Sequence, residues 1–85
     1  MFEIHPLLAT FVAHTTDNSE QIEVRVHEVL DAPAHNRFQV IALHTDGTTR
    51  WTMQPHSTRA MVACFERLAP ALQFACEEVR FHLEP

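Results

Sequence analysis

Seven histidines, at positions 5, 14, 27, 35, 44, 56 and 82, are the densest chemical resource in this 85-residue chain. Imidazole is the commonest metal ligand and the side chain whose charge changes near neutral pH. A metal site built within one element announces itself through His-x-His, His-x-x-x-His or Cys-x-x-Cys spacing. Here no two histidines stand two or four apart, and Cys64 and Cys76 are twelve apart. That is about 18 Å along a straight helix, too far for a shared metal or a disulfide. A metal- or small-ligand-binding domain therefore has one route, the convergence of His5, His14, His27, His35, His44 and His56 from different strands.

Nucleophilic chemistry has less to work with. The serines are Ser19 and Ser57, and Ser57 is placed to cap a helix. Cys64 falls on an apolar stripe, where a thiol is inert. Asp46 is accounted for by turn chemistry, and His44 falls on the inner side of the sheet near Trp51. A single glycine, Gly47, excludes a glycine-rich phosphate loop. The expectation is a non-enzymatic protein with no cofactor.

Charge narrows the partners. Eleven Asp and Glu oppose six basic residues, all of them arginine, for a net charge of −5. A phosphate backbone needs a positive stripe and an anionic membrane needs a basic patch. Neither direct nucleic-acid binding nor membrane binding is expected. The acidic balance suits solubility and fits a protein partner with a basic surface, itself often a nucleic-acid-binding protein. Glu3 and His5-Pro6 interrupt any signal-like run, "LLATFVA" is too short to cross a bilayer, and two cysteines without a secretory context suit reduced thiols. A cytoplasmic protein is expected.

The elements that must position these residues form one domain, residues 1–85. "LATFVAHTT" is β-branched and aromatic and is taken as a strand, with a helix from Pro6 as the alternative; "TTDNSEQ" turns it into the next strand. In "QIEVRVHEVL", Ile22, Val24 and Val26 alternate with Glu23, Arg25 and His27, a strand with one wet face. "DAPAHN" is a loop. Asp46-Gly47 signals a two-residue hairpin that would place Thr45 against Thr48 and Ala42 against Trp51. Phe38, Val40, Ala42, Trp51 and Met53 then share one side.

From Ser57 or Thr58 onward the spacing predicts one helix over 58–83, kinked at Pro70. With about 100° per residue, Met61, Cys64, Phe65, Leu68, Leu72, Ala75, Cys76, Val79 and Leu83 form one stripe. Two helices meeting at Ala69-Pro70 are the alternative. Ala63, Pro70, Phe74 and Phe81 form a second stripe, ringed by Arg59, Glu66, Arg67 and Glu77. An apolar centre with a charged rim is interface anatomy, unless the N-terminal segment covers it. The fold class expected is α+β: a three- or four-stranded antiparallel sheet packed against one long, Pro-kinked C-terminal helix.

The function expected is a small acidic protein-binding module. It would inhibit or regulate a nucleic-acid-handling protein complex, in the manner of proteins encoded by phages and mobile elements. Phe74 and Phe81 would anchor the partner, Glu66, Glu77, Glu78 and Glu84 would meet its basic residues, and Arg67 would sit at the rim. A second copy of the chain is the other partner expected at this helix face.

Overall fold

The computed structural model describes residues 6–56 and 60–83. Its elements are β1 (Leu7–His14), β2 (Gln21–Glu28), a 3-10 turn (Ala34–Asn36), β3 (Phe38–Thr45), β4 (Arg50–Met53), β5 (Val62–Phe65) and α1 (Leu68–Leu83). All strand pairs are antiparallel, in the order β1-β2-β3-β4, with β5 also on β3. Five strands thus occupy four positions. β4 pairs with residues 42–45 of β3, and β5 with residues 38–41 of the same edge. The class is α+β, with the sheet packed against the C-terminal helix.

The first strand is a strand, with one irregularity between Leu7 and Ala9. In the turn to β2, the Asp17 carboxylate accepts Thr15 Oγ1 at 2.7 Å, Ser19 N–H at 3.0 Å and Ser19 Oγ at 2.7 Å. Asn18 takes φ +60°, a left-handed conformation that asparagine tolerates. The second hairpin closes one residue later than Asp46-Gly47 predicts. Asp46 N–H donates to the Thr49 carbonyl at 3.1 Å, Gly47 has φ +93°, and Thr45 faces Arg50. The cause is Asp46, whose carboxylate accepts Thr49 N–H at 2.8 Å and Thr48 N–H at 3.1 Å. It acts as a side-chain acceptor before the turn rather than as a residue of its tip. The register moves by two, so the faces survive. Ala42 faces Met53 and His44 faces Trp51.

The core lies on one face of the sheet. Ala13, Val24, Val26, Phe38, Val40, Ala42 and Ala63 are buried there beneath Ala71, Ala75 and Val79 of α1.

The helix differs most from expectation. Residues 62–65 are strand, and α1 begins at Leu68. Pro70 is its third residue, not the site of a kink within a longer helix. In a helix interior proline costs about 3 kcal/mol, whereas the first turn has N–H groups without helical partners anyway. Pairing Val62–Phe65 with residues 38–41 also supplies the β3 backbone groups that four-residue β4 cannot reach. The capping roles of Ser57 and Thr58 lie outside the described residues.

Losing residues 61–67 from the helix changes its phase. Met61, Cys64 and Phe65 cannot define a helical stripe when they are not helical. The buried line runs through Ala71, Ala75, Glu78 and Val79, rotated about 50° from the expected one. That rotation carries Phe74 and Glu78 inward and leaves Cys76 and Leu83 exposed; Leu68 is exposed as the first residue of α1. Cys64 is likewise an exposed free thiol, on the strand rather than on a core stripe.

Candidate functional site

The inward rotation of α1 creates a polar centre. Glu78 is a fully buried acid among apolar neighbours. Burying a carboxylate is costly unless it is fully hydrogen-bonded, and three donors surround this one. His56 N–H donates to Oε1 at 2.9 Å, His56 Nδ1 reaches Oε2, and His82 Nε2 lies 3.2 Å from Oε1. A carboxylate only accepts, so both rings present an N–H to it. The His56 ring stacks on Phe81 at 3.9 Å between centroids with planes 2° apart, and His82 meets the Phe81 edge at 5.2 Å. Phe81 therefore shields the cluster on its solvent side. His82 also stands in the last helical turn, where a cationic ring complements the helix dipole.

His82 opens onto a surface cavity of about 520 Å³, lined also by Ala13, His14, Thr15, Thr16, Glu20, Gln21, Ile22, His44 and Leu83. The β1–β2 turn, the end of β3 and the end of α1 thus bring three histidines to one wall. Each has one nitrogen engaged. His14 Nδ1 lies 3.1 Å from the Thr15 carbonyl, His44 Nε2 3.2 Å from Glu20 Oε1, and His82 Nε2 on Glu78. Where such a ring is in its neutral form, its other nitrogen is a lone-pair acceptor. His44 lies against Trp51 with centroids 4.6 Å apart, on the inner side as expected.

Among the described residues, no arginine lines the cavity. Asp17, in the same turn, is held ionised: hydrogen bonds from Thr15 and then Ser19 lower its pKa from 3.8 to about 2. Hydrogen bonds from the Thr49 and Thr48 backbone likewise lower the Asp46 carboxyl. Three of the arginines are occupied elsewhere. Arg25 and Arg50 both meet Glu23, and Arg37 holds Glu28 at 2.9 Å.

The residues expected to bind a partner are scattered by this arrangement. Phe74 turns in against Phe65, with centroids 5.4 Å apart, beside the core. Phe81 is 52% exposed. Glu66 and Arg67 are exposed in the link before α1, and exposed Glu77 accepts Gln73 Nε2 at 3.3 Å. Glu78 is internal and cannot reach a partner, because the helix phase that put it outside included seven residues that are not helix. Glu84, Arg59 and His5 lie outside the described residues. Of the histidines expected to converge, His14 and His44 share the cavity. His27 and His35 stand in β2 and in the 3-10 turn, and His56 serves Glu78. His82 and Glu78 were not expected together, although their i, i+4 spacing is legible in the sequence. Among the described residues, no three His, Cys, Asp or Glu side chains are grouped to hold a metal ion, and no helix is long and apolar enough to cross a membrane.

Comparison of the chain with family models, with curated proteins and with solved structures gives no match.

Proposed function

We propose that this protein is a non-enzymatic, acidic protein-binding module whose histidine-lined cavity receives a basic side chain, an arginine above all, from its partner. The observation that carries the proposal is the chemistry of the cavity wall. Glu20 is in it, ionised Asp17 is in the same turn, Glu78 lies behind His82, and among the described residues no arginine lines it. In their neutral forms the imidazoles of His14, His44 and His82 add acceptors to the same wall. A guanidinium is permanently positive and offers five N–H donors, the complement of such a wall. The net charge of −5 would speed encounter with a basic surface. Phe81, Glu66, Glu77 and Arg67 are exposed on other parts of the surface and are available to a partner there.

Occupying the basic surface of a nucleic-acid-handling complex would make the module its inhibitor or regulator, and a cytoplasmic location belongs to the same proposal. The test is a titration of isotope-labelled protein with acetyl-Gly-Arg-Gly-amide and with its Glu counterpart, followed by NMR. Shifts at His14, His44, His82 and Glu20 are expected with the Arg peptide only. Glu20→Gln should weaken binding by about three- to tenfold, the size of one charge-assisted contact. Equal shifts from both peptides, or none, would overturn the proposal.

The cavity shared by His14, His44 and His82 favours a second reading, a small-ligand-binding site; a metal site would need these histidines to move together, since they are not grouped to hold an ion. Stoichiometric zinc in the purified protein would favour it over the first.

A further inference from the structure

We infer that two copies of this chain associate through antiparallel pairing of β1 with its counterpart, making one continuous sheet across the dimer. The observation is a contrast between the two edges of the sheet. Folded proteins keep edge strands short or charged, because an open edge is a template for another strand. One edge here obeys. It is divided between β4 and β5, each four residues long, and β4 carries Arg50. The other edge is β1, eight residues long, "LLATFVAH", with no Asp, Glu, Lys or Arg. Among the described residues its protective feature is the irregularity between Leu7 and Ala9. Residues 9–14 remain in unbroken register with β2 over about 20 Å.

Charge selects a second copy as the occupant. A chain of net charge −5 repels its own kind over most of its surface. A two-fold antiparallel pair brings β1 against β1, where no like charges oppose. The flanks agree. On the face away from α1, Leu8 and Val12 are 42% and 45% exposed. On the helix side, Phe74 and Phe81 point toward β5 and His56. The opposite side of α1, about half a turn round, carries Leu72, Cys76 and Leu83. Leu83 shares the cavity with Ala13 and His14 of β1, so this side looks over the β1 edge. In the paired arrangement the two helices lie side by side, about 10–14 Å apart at normal strand spacing. The apolar flanks left open by one copy then face those of the other.

The test is sedimentation equilibrium of the wild type and of a Leu8→Lys/Val12→Lys variant, with amide hydrogen exchange on both. Both positions are exposed, so the fold should persist, as circular dichroism will show. The wild type should run at twice the 9.8 kDa chain mass, and the variant's dissociation constant should rise by about tenfold or more, because like charges then oppose across the pair. In the wild-type dimer, amides of residues 9–14 should be protected on both edges of β1. A wild type that remains monomeric at about 100 μM, about a hundredfold above a micromolar dissociation constant, would overturn the inference. So would a dimer in which alternate β1 amides exchange at the rate of an open edge, whatever the variant does.

Discussion

Replacing Glu78 should cost this domain more stability than replacing any neighbouring acid. The carboxylate has no exposed surface and takes hydrogen bonds from His56 N–H, His56 Nδ1 and His82 Nε2. Glu78→Ala removes the acceptor common to all three. Water can reach His82 from the cavity, whereas the His56 N–H and ring lose a part-buried acceptor. Removing one partner from a buried charged cluster costs about 3–5 kcal/mol. A domain of this size has about 4–13 kcal/mol in total, so about a quarter or more of the stability is at stake. At about 4–8 °C per kcal/mol for small domains, the melting midpoint should fall by roughly 12 °C or more.

Urea denaturation followed by circular dichroism measures the change directly. Glu77→Ala, one residue away and exposed, is the control and should stay within about 0.5 kcal/mol. Glu78→Gln keeps one acceptor oxygen but turns an NH₂ against donors, so it should fall between the two. A double-mutant cycle of Glu78→Ala with His82→Ala should show coupling of at least about 0.5 kcal/mol. A Glu78→Ala loss no larger than that of Glu77→Ala would refute the reasoning, for it would mean that the buried cluster contributes nothing net.

Three further outcomes follow from named contacts. Phe74→Ala should cost about 2–4 kcal/mol because its ring packs on Phe65 beside the core. Phe81→Ala should cost about 0.5–1.5 kcal/mol, the worth of one half-exposed ring stack; urea melts compare the two, and a reversed order would show that the helix is turned differently. Both thiols, Cys64 and Cys76, are exposed and should react with a thiol reagent in the native protein without a lag, whereas a thiol that reacts only on unfolding would contradict that exposure. The Asp17 carboxyl should titrate near 2 rather than at its ordinary 3.8. A carboxyl lowered in the folded state stabilises the fold above its unfolded pKa and loses that contribution as pH falls through the folded one. NMR of the 15–20 turn should therefore show its hydrogen bonds weakening between about pH 4 and 2, and a midpoint near 4 would refute the assignment.

The strands were legible because alternation needs no knowledge of the rest of the chain. Ile22, Val24 and Val26 reveal their buried face from period two alone. In the second hairpin the faces were legible and the register was not. Asp46-Gly47 marks a turn, but whether Asp46 belongs to the tip or accepts hydrogen bonds from beyond it is settled by Thr48 and Thr49. The shift of two residues changes the partners without changing the faces.

The C-terminal third was misread for a reason that also hid the candidate site. Residues 62–65 fit a helical stripe as well as a strand, since a short apolar run carries no decisive period. Treating them as helix fixed the phase of everything after them. Val62–Phe65 is a strand because β3 has four unpaired residues to offer, a demand made by a segment some twenty residues earlier. Pro70 held the contrary signal, since helices take proline in the first turn and resist it later. Once α1 begins at Leu68, its inward line must pass through Glu78, and an acid so placed requires donors. His82 at i+4 and His56, three residues past β4, supply them. The same phase leaves Leu83 and Cys76 on the side toward β1. The buried cluster and the uncovered edge are thus two consequences of a single boundary, and a helix begun at residue 58 would have neither.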